Sequence, residues 1–206
     1  MNYLVIGFLG FIVIHLSDLL FVRRIRFAKP SVWIAGAVLI GYAAAMAFLW
    51  PEKLPLPSWT TWLGWALLLT SLPVLLYSLF ISLPFVETYV SADAKEQLIT
   101  TGFYALARHP WVHWHVLVAL SLFLASKSEL MLYGALSFIG LDILAITIQD
   151  KFFFLRMFPG YEEYRRQTPM LIPNRKSFKA FFTSLRSSKG RSLSNRTKET
   201  ADVHLS

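Results

Sequence analysis

The stretch Trp111–Ile148, WVHWHVLVALSLFLASKSELMLYGALSFIGLDILAITI, decides the fold class because it holds two apolar runs separated by a short polar turn. A helix needs roughly 20 apolar residues to cross a bilayer core about 30 Å thick. The second run, Leu130–Ile148, approaches that length, whereas the first, Trp111–Ala125, is shorter. If Pro110 takes the first helical position, where its missing N–H costs nothing, the two runs pack as a tight helical hairpin.

Three further apolar segments precede this hairpin, and the composition agrees with a membrane protein. They are Met1–Val22, Ser31–Trp50 and Thr60–Phe85. Hydrophobic residues make up 55% of the 206 residues and charged residues only 16%, which lies outside the usual balance of soluble domains. The sequence therefore predicts an all-α membrane protein with about five transmembrane helices and a C-terminal helical hairpin.

The distribution of lysine and arginine predicts the orientation, because basic loops stay on the cytoplasmic side of a membrane. All but two of the 20 Lys and Arg residues fall in the segments that follow the first, third and fifth spans. Only Lys53 and Lys127 fall in the segments that follow the second and fourth. The expected protein is a multi-pass membrane protein with its N-terminus outside and its C-terminus in the cytoplasm.

The net charge of +8 indicates a partner with negative charge. The basic residues lie beside the spans and in the tail, without an aromatic-basic platform, so we expect anionic lipid headgroups and no nucleic acid as partners. Residues 1–173 form the expected transmembrane domain, and residues 174–206 a basic, mostly disordered cytoplasmic tail. The start of that tail, KSFKAFFTSLR (Lys176–Arg186), is typical of a short basic amphipathic helix on the membrane surface.

Two predicted cytoplasmic segments carry most of the remaining polar groups. The first contains LITTGFYALARHP (Leu98–Pro110), and the second contains FPGYEEYRRQTPMLIP (Phe158–Pro173). Both leave the membrane on the same expected side and are separated by the helical hairpin. Together they predict a site at the cytoplasmic interface, open to a water-soluble cofactor and to a lipid-embedded substrate.

These two motifs, in this order and with this separation, resemble the integral membrane methyltransferases that include isoprenylcysteine carboxyl methyltransferase and phospholipid N-methyltransferases. The resemblance extends over about residues 88–173. It implies S-adenosylmethionine as the cofactor and methyl transfer to a lipidic or amphiphilic acceptor at the interface. It also implies the residues that line the cofactor, which are Glu96, Gln97, Leu98, Ile99, Gly102, Tyr104, His109, Pro110, Trp111, Val112 and Asp150.

The chemistry of the cofactor assigns three of the candidate residues to separate tasks. S-adenosylmethionine is a zwitterion with a sulfonium, so it calls for an acid near its ammonium, a cation or N–H group near its carboxylate, and an aromatic face near its sulfur. Asp150, Arg108 and Tyr104 are the respective candidates. Arg108 and Asp150 are accordingly the expected catalytic residues, and no metal is expected.

This chain departs from the family pattern at positions that bear on the function. Where the family has a Glu-Glu pair before the second motif, this chain has Asp150 and Lys151, and where the family has a tyrosine and a glycine after His-Pro it has Val112 and Trp114. Trp114 either narrows the cofactor cleft, reshapes the acceptor pocket or marks a member that no longer methylates. The alternatives are a non-catalytic lipid-binding or scaffold protein that retains the fold, and a membrane reductase that uses a nicotinamide cofactor.

Other polar residues near the hairpin have structural interpretations as well as functional ones. His109, His113 and His115 are poorly spaced for three ligands of one metal ion, so capping or interfacial hydrogen bonding is expected. Asp142 lies inside the fifth predicted span, where a carboxylate is costly. It either faces the cytoplasmic site or pairs with a polar group on another span.

Overall fold

The structure is a computed structural model that describes residues 2–22, 29–81 and 98–185. Within these ranges the chain is helical and contains no β-strand, with one isolated bridge between Lys53 and Ser128. The helices are α1 Asn2–Val22, α2 Lys29–Phe48, α3 Trp59–Leu76, α4 Phe103–Leu106, α5 Trp111–Ser126, α6 Glu129–Ile148, α7 Phe154–Met157, α8 Tyr161–Gln167 and α9 at residues 175–185. Two π-helical segments, Tyr77–Ile81 and Gln149–Phe153, extend α3 and α6.

Three helices of the described chain are long and apolar enough to cross a membrane, which confirms the prediction of an all-helical membrane protein at that level. They cover Ser31–Phe48, Trp59–Leu79 and Glu129–Met157. Two shorter apolar helices cover Asn2–Leu16 and Trp111–Ser126. The hairpin helices begin close to the predicted residues, except that Pro110 directly precedes the first helical residue instead of occupying it.

The chain divides into two compact units. The first unit contains Met1–Leu98 and Trp111–Tyr161, and the second contains Ile99–Pro110 and Glu162–Ser206. The second unit therefore groups α9 with segments of the two motifs. The expectation of disorder falls mainly on residues 186–206, which lie outside the described residues.

In the first unit, α1 and α2 approach closely where glycines meet. A β-carbon built on Gly36 of α2 would lie only 2.7 Å from the carbonyl oxygen of Gly10 on α1. Small residues at such a crossing let two backbones come into contact, and this packing drives helix association in a membrane, where burial from water contributes little. The predominantly apolar α1 and α2 thus gain a specific crossing point from two residues that have no side chain.

The turn between α5 and α6 is fastened to the end of α2 and to the loop that follows it. The Ser128 hydroxyl donates to the Ala47 carbonyl over 2.6 Å and accepts from the Met131 amide, so that it also caps α6. The Leu54 amide donates to the Lys127 carbonyl over 2.8 Å. Serine is a favoured helix cap because its oxygen satisfies an amide that the first turn leaves without a partner. These bonds fix one end of the α5–α6 hairpin to the loop after α2.

Candidate functional site

Backbone hydrogen bonds in the second unit join the segments of the two motifs. The Arg108 amide donates to the Pro169 carbonyl over 2.9 Å, and the His109 amide donates to the Met170 carbonyl over 3.2 Å. A residue that precedes proline is restricted to extended conformations, so the chain before Pro110 cannot satisfy its amides within a helix. The segment after α8 supplies the missing acceptors.

The side chain of Arg108 reinforces this junction. It is 9% exposed, and its Nη1 group donates to the carbonyls of Arg165 and Thr168 over 2.8 and 2.6 Å. Both carbonyls lie at the C-terminal end of α8, where the last carbonyls of a helix lack intrahelical donors and carry partial negative charge. Arg108, expected as a contact for the cofactor carboxylate, is placed by the structure as a cap on α8.

Tyr104 and Gly102 hold the first motif against the rest of the second unit. Tyr104 is buried, and its carbonyl accepts a hydrogen bond from the hydroxyl of Tyr164 over 2.6 Å. Gly102 has φ 61° and ψ −136°, and its amide donates to the Ser184 hydroxyl over 3.1 Å. Residues with a side chain rarely adopt that conformation, which is why a glycine begins the turn into α4.

The remaining candidates fall in different parts of the chain. Ile99 is half-buried in the second unit, where His109 and Pro110 are buried. Leu98 is half-buried and belongs to the first unit. Glu96 and Gln97 lie outside the described residues, so their expected contacts remain predictions.

Three further predicted cofactor residues belong to the first unit. Trp111 and Val112 are the first residues of α5, and Val112 is buried. Asp150 is buried in the π-helical segment after α6, where its Oδ1 accepts a hydrogen bond from the hydroxyl of Tyr161. Lys151, next to it, is exposed. Asp150 is therefore inside the protein and hydrogen-bonded, whereas Lys151 is at the surface.

The α5–α6 hairpin contains a buried polar pair. Asp142 on α6 and His115 on α5 meet through Oδ2 and Nδ1, with 6% and 27% of their side chains exposed. The Trp111 ring lies 6.3 Å from the His115 ring. Of the two interpretations of Asp142, the structure supports a partner on another apolar helix. His113, in contrast, is exposed, and the described residues contain no group of three potential metal ligands.

Sequence reasoning missed two contacts that organise this region, Tyr161 with Asp150 and Tyr164 with Tyr104. The signal was present in the pattern of α8, which places Tyr161 and Tyr164 three residues apart on one face of the helix. Both tyrosines are buried, and the charged residues between and after them are exposed. The charged residues thus form a solvated face of α8, and the partners of the two hydroxyl groups are the part that the pattern does not assign.

Comparison of the chain with protein-family models, curated proteins and solved structures gives no match.

Proposed function

We propose that the protein transfers a methyl group from S-adenosylmethionine to a lipidic or amphiphilic acceptor at the cytoplasmic membrane interface. The observation that carries this proposal is the junction in the second unit. Segments of the two motifs, separated by 60 residues between Tyr104 and Tyr164, are held together by backbone bonds, by a buried guanidinium and by a tyrosine hydroxyl. A methyltransferase of the resembled type requires the two motifs in one functional region.

Two side chains of the described residues have the chemical type that would bind a charged group of the cofactor. Asp150 supplies a buried carboxylate in the first unit, while Tyr104 supplies a buried aromatic ring in the second. These groups match an ammonium and a sulfonium. Arg108 fits less simply, because its Nη1 group is engaged with two carbonyls. In this proposal Arg108 positions the second motif and adds positive charge near the cofactor carboxylate.

The bound cofactor would supply a methyl group that is already activated by the positive sulfur. The protein then contributes chiefly position, since holding two reactants in the correct geometry removes much of the entropic barrier. A carboxylate acceptor needs no base, whereas a protonated amine must first lose a proton. Both an isoprenylcysteine carboxylate and a phospholipid amine are compatible with the proposal.

The proposed topology has five spans, with the N-terminus outside and the C-terminus in the cytoplasm. Its support is the set of three long apolar helices, the two shorter ones and the location of 18 of the 20 basic residues after the first, third and fifth spans. In this arrangement both motifs leave the membrane on the cytoplasmic side, which is where soluble S-adenosylmethionine is available.

The direct test is calorimetric titration of the detergent-solubilised protein with S-adenosylmethionine and S-adenosylhomocysteine, with folding verified by circular dichroism. We expect both ligands to bind, and Tyr104→Ala and His109→Ala to bind more weakly. Tyr42→Ala is a matched control, because Tyr42 is an exposed tyrosine of α2. Absence of heat and of thermal stabilisation at millimolar ligand, in folded protein, would refute the proposal.

Asp150 allows a second test of the proposed cofactor. If its carboxylate meets the cofactor ammonium, Asp150→Asn removes a charge-assisted bond at nearly constant shape, which costs about 1.5–3 kcal/mol, or on the order of ten- to a hundredfold in affinity. An analogue that lacks the amino group should bind the native protein and the variant equally. Because Lys151 is exposed, Lys151→Glu should restore the acidic pair and tighten binding. Equal affinity of S-adenosylmethionine for native protein and Asp150→Asn would remove Asp150 from the site.

A non-catalytic protein that binds lipid or acts as a scaffold is the second candidate. It is favoured by the engagement of Arg108 with carbonyls and of Asp150 with Tyr161, since bonds of this kind also stabilise a fold without a ligand. Trp114, which replaces a small residue of the family pattern, points the same way. The titration distinguishes the two functions, because a folded protein without affinity for either ligand is the result that this candidate predicts.

A further inference from the structure

Helix α9, at residues 175–185, carries most of the exposed apolar surface of the second unit. Among the described residues of that unit, the large apolar side chains that are exposed all lie between residues 172 and 185. They are Ile172, Phe178, Phe182 and Leu185. Phe182 alone has 58% of its surface exposed. Exposed apolar groups that are clustered in this way mark an interaction surface more often than scattered ones do.

One face of α9 is already used within the second unit. Ser177 is buried, and the Ser184 hydroxyl accepts a hydrogen bond from the Gly102 amide. Between them the Phe181 ring stacks on Phe103, with centroids 6.0 Å apart and an angle of 11° between the planes. Residues 177, 181 and 184 follow the spacing of one helical face. The helix is therefore held in a fixed rotation, and the apolar residues outside this face are not part of its packing core.

The exposed apolar residues form a second stripe beside the packed face. Phe178, Phe182 and Leu185 are spaced four and three residues apart, so they lie on one side of the helix. At 100° per residue the centre of this stripe lies about 100° from the centre of the packed face. Exposure of such an apolar stripe to water is unfavourable, so the stripe is stabilised when lipid or protein covers it.

Basic residues lie on the other side of this stripe. Arg175, Lys176 and Lys179 are all exposed, and no acidic residue occurs between residues 168 and 185. In the helical projection Arg175 and Lys179 come directly after Phe182. An order of packed face, apolar stripe and basic face is the arrangement of a helix that lies in the plane of a membrane surface.

We propose that α9 lies on the cytoplasmic leaflet, with Phe178, Phe182 and Leu185 at the level of the upper acyl chains and with Arg175 and Lys179 among anionic lipid headgroups. The basic side chains have flexible apolar stems, which let their charges reach the headgroups while the apolar stripe is inserted. Each basic residue near an anionic surface favours the docked state about fivefold. The basic side of α9 favours anionic lipid over uncharged lipid. This preference does not depend on whether the protein transfers methyl groups.

The absence of cysteine allows a direct measurement on the full chain. A nitroxide is attached either to Phe182→Cys, on the apolar stripe, or to Thr183→Cys, which is exposed on the basic side. The protein is placed in lipid nanodiscs of phosphatidylcholine, with or without phosphatidylglycerol. Collisions with oxygen, which concentrates in the acyl region, are compared with collisions with a water-soluble nickel chelate.

In discs with phosphatidylglycerol, we expect the label at residue 182 to collide mainly with oxygen and the label at residue 183 mainly with nickel. Lys179→Gln should lower the ratio of docked to undocked α9 about fivefold, whereas Lys179→Arg, which keeps the charge, should not. Nickel access at both positions would overturn the proposal. So would equal docking in discs of phosphatidylcholine alone, which would remove the selectivity for anionic lipid. Spin–spin broadening at residue 182 with low access of both reagents would place a second copy of the chain on the stripe and would also overturn it.

Discussion

The buried pair of His115 and Asp142 leads to a prediction about the stability of the α5–α6 hairpin. His115→Leu leaves the carboxylate of Asp142 without the imidazole, in a part of α6 where the adjacent residues are apolar. Asp142→Leu leaves an imidazole that is partly exposed. The double replacement removes both polar groups and fills the space with apolar side chains. The two single variants should therefore be less stable than the double variant.

The burial of the pair and the position of His115 in α5 set the expected changes in the free energy of unfolding. Breaking a buried charged pair typically costs 3–5 kcal/mol, and we take about 3 kcal/mol for His115→Leu because His115 is roughly 6 Å from the start of α5, near the expected interface. Asp142→Leu should cost about 1–2 kcal/mol, the cost of a polar group left without its partner. The double variant should lie within about 1 kcal/mol of the native protein, because apolar replacement of a buried pair is often neutral. The coupling should then exceed about 2 kcal/mol.

The assay is reversible unfolding in mixed detergent micelles by titration with dodecyl sulfate, followed by circular dichroism. His113→Leu is the matched control, because His113 is exposed on the same helix, and it should change the free energy of unfolding by less than about 0.5 kcal/mol. If the two single effects simply add in the double variant, the side chains do not interact and the pair is not formed. A coupling near 0.6 kcal/mol, about the average for hydrogen bonds between membrane helices, would refute the expected coupling of more than about 2 kcal/mol.

Three further predictions concern packing, the motif junction and topology. Gly36→Ala should destabilise the protein by about 1–3 kcal/mol in the same unfolding assay, because its β-carbon meets a carbonyl of α1, whereas Gly41→Ala, with open space at its β-carbon, should not. Tyr164→Phe should weaken the second unit by about 1–3 kcal/mol and speed amide exchange in the first motif, because a buried carbonyl loses its donor; unchanged exchange would contradict this role. In intact cells, an impermeant thiol reagent should label Ser58→Cys but not Lys176→Cys, and the reverse pattern would refute the proposed orientation.

The helices of the hairpin could be predicted from the sequence because local chemistry determines where they begin and end. Pro110 limits the start of α5, and Ser128 supplies a side-chain cap at the start of α6. The apolar runs between these points have no other stable state in a bilayer, since every backbone group must find its partner within the helix. The sequence within a few residues of each helix start is therefore sufficient to predict where α5 and α6 begin.

The partners of the polar side chains could not be predicted in the same way. Arg108 carries a charge that suits a carboxylate and a helix C-terminus equally well, and its observed acceptors lie 57 and 60 residues further along the chain. The position of His115 on α5 does not reveal the rotation of α5 against α6, so its contact with Asp142 required the packed hairpin. Hydropathy determines which segments are helices, but it contains little information on how apolar helices face one another.

The bonds at the α5–α6 turn have a mechanical consequence for the first unit. Ser128 and Lys127 tie that turn to the end of α2 and to the loop behind it, so the hairpin is anchored at this end. A rigid rod held at one end moves most at the other, and a small rotation at the turn is amplified along the 16 residues of α5 into a displacement near Trp111. Any hinge motion of α5 would therefore have its pivot at the turn near Ser128 and its largest displacement at Trp111.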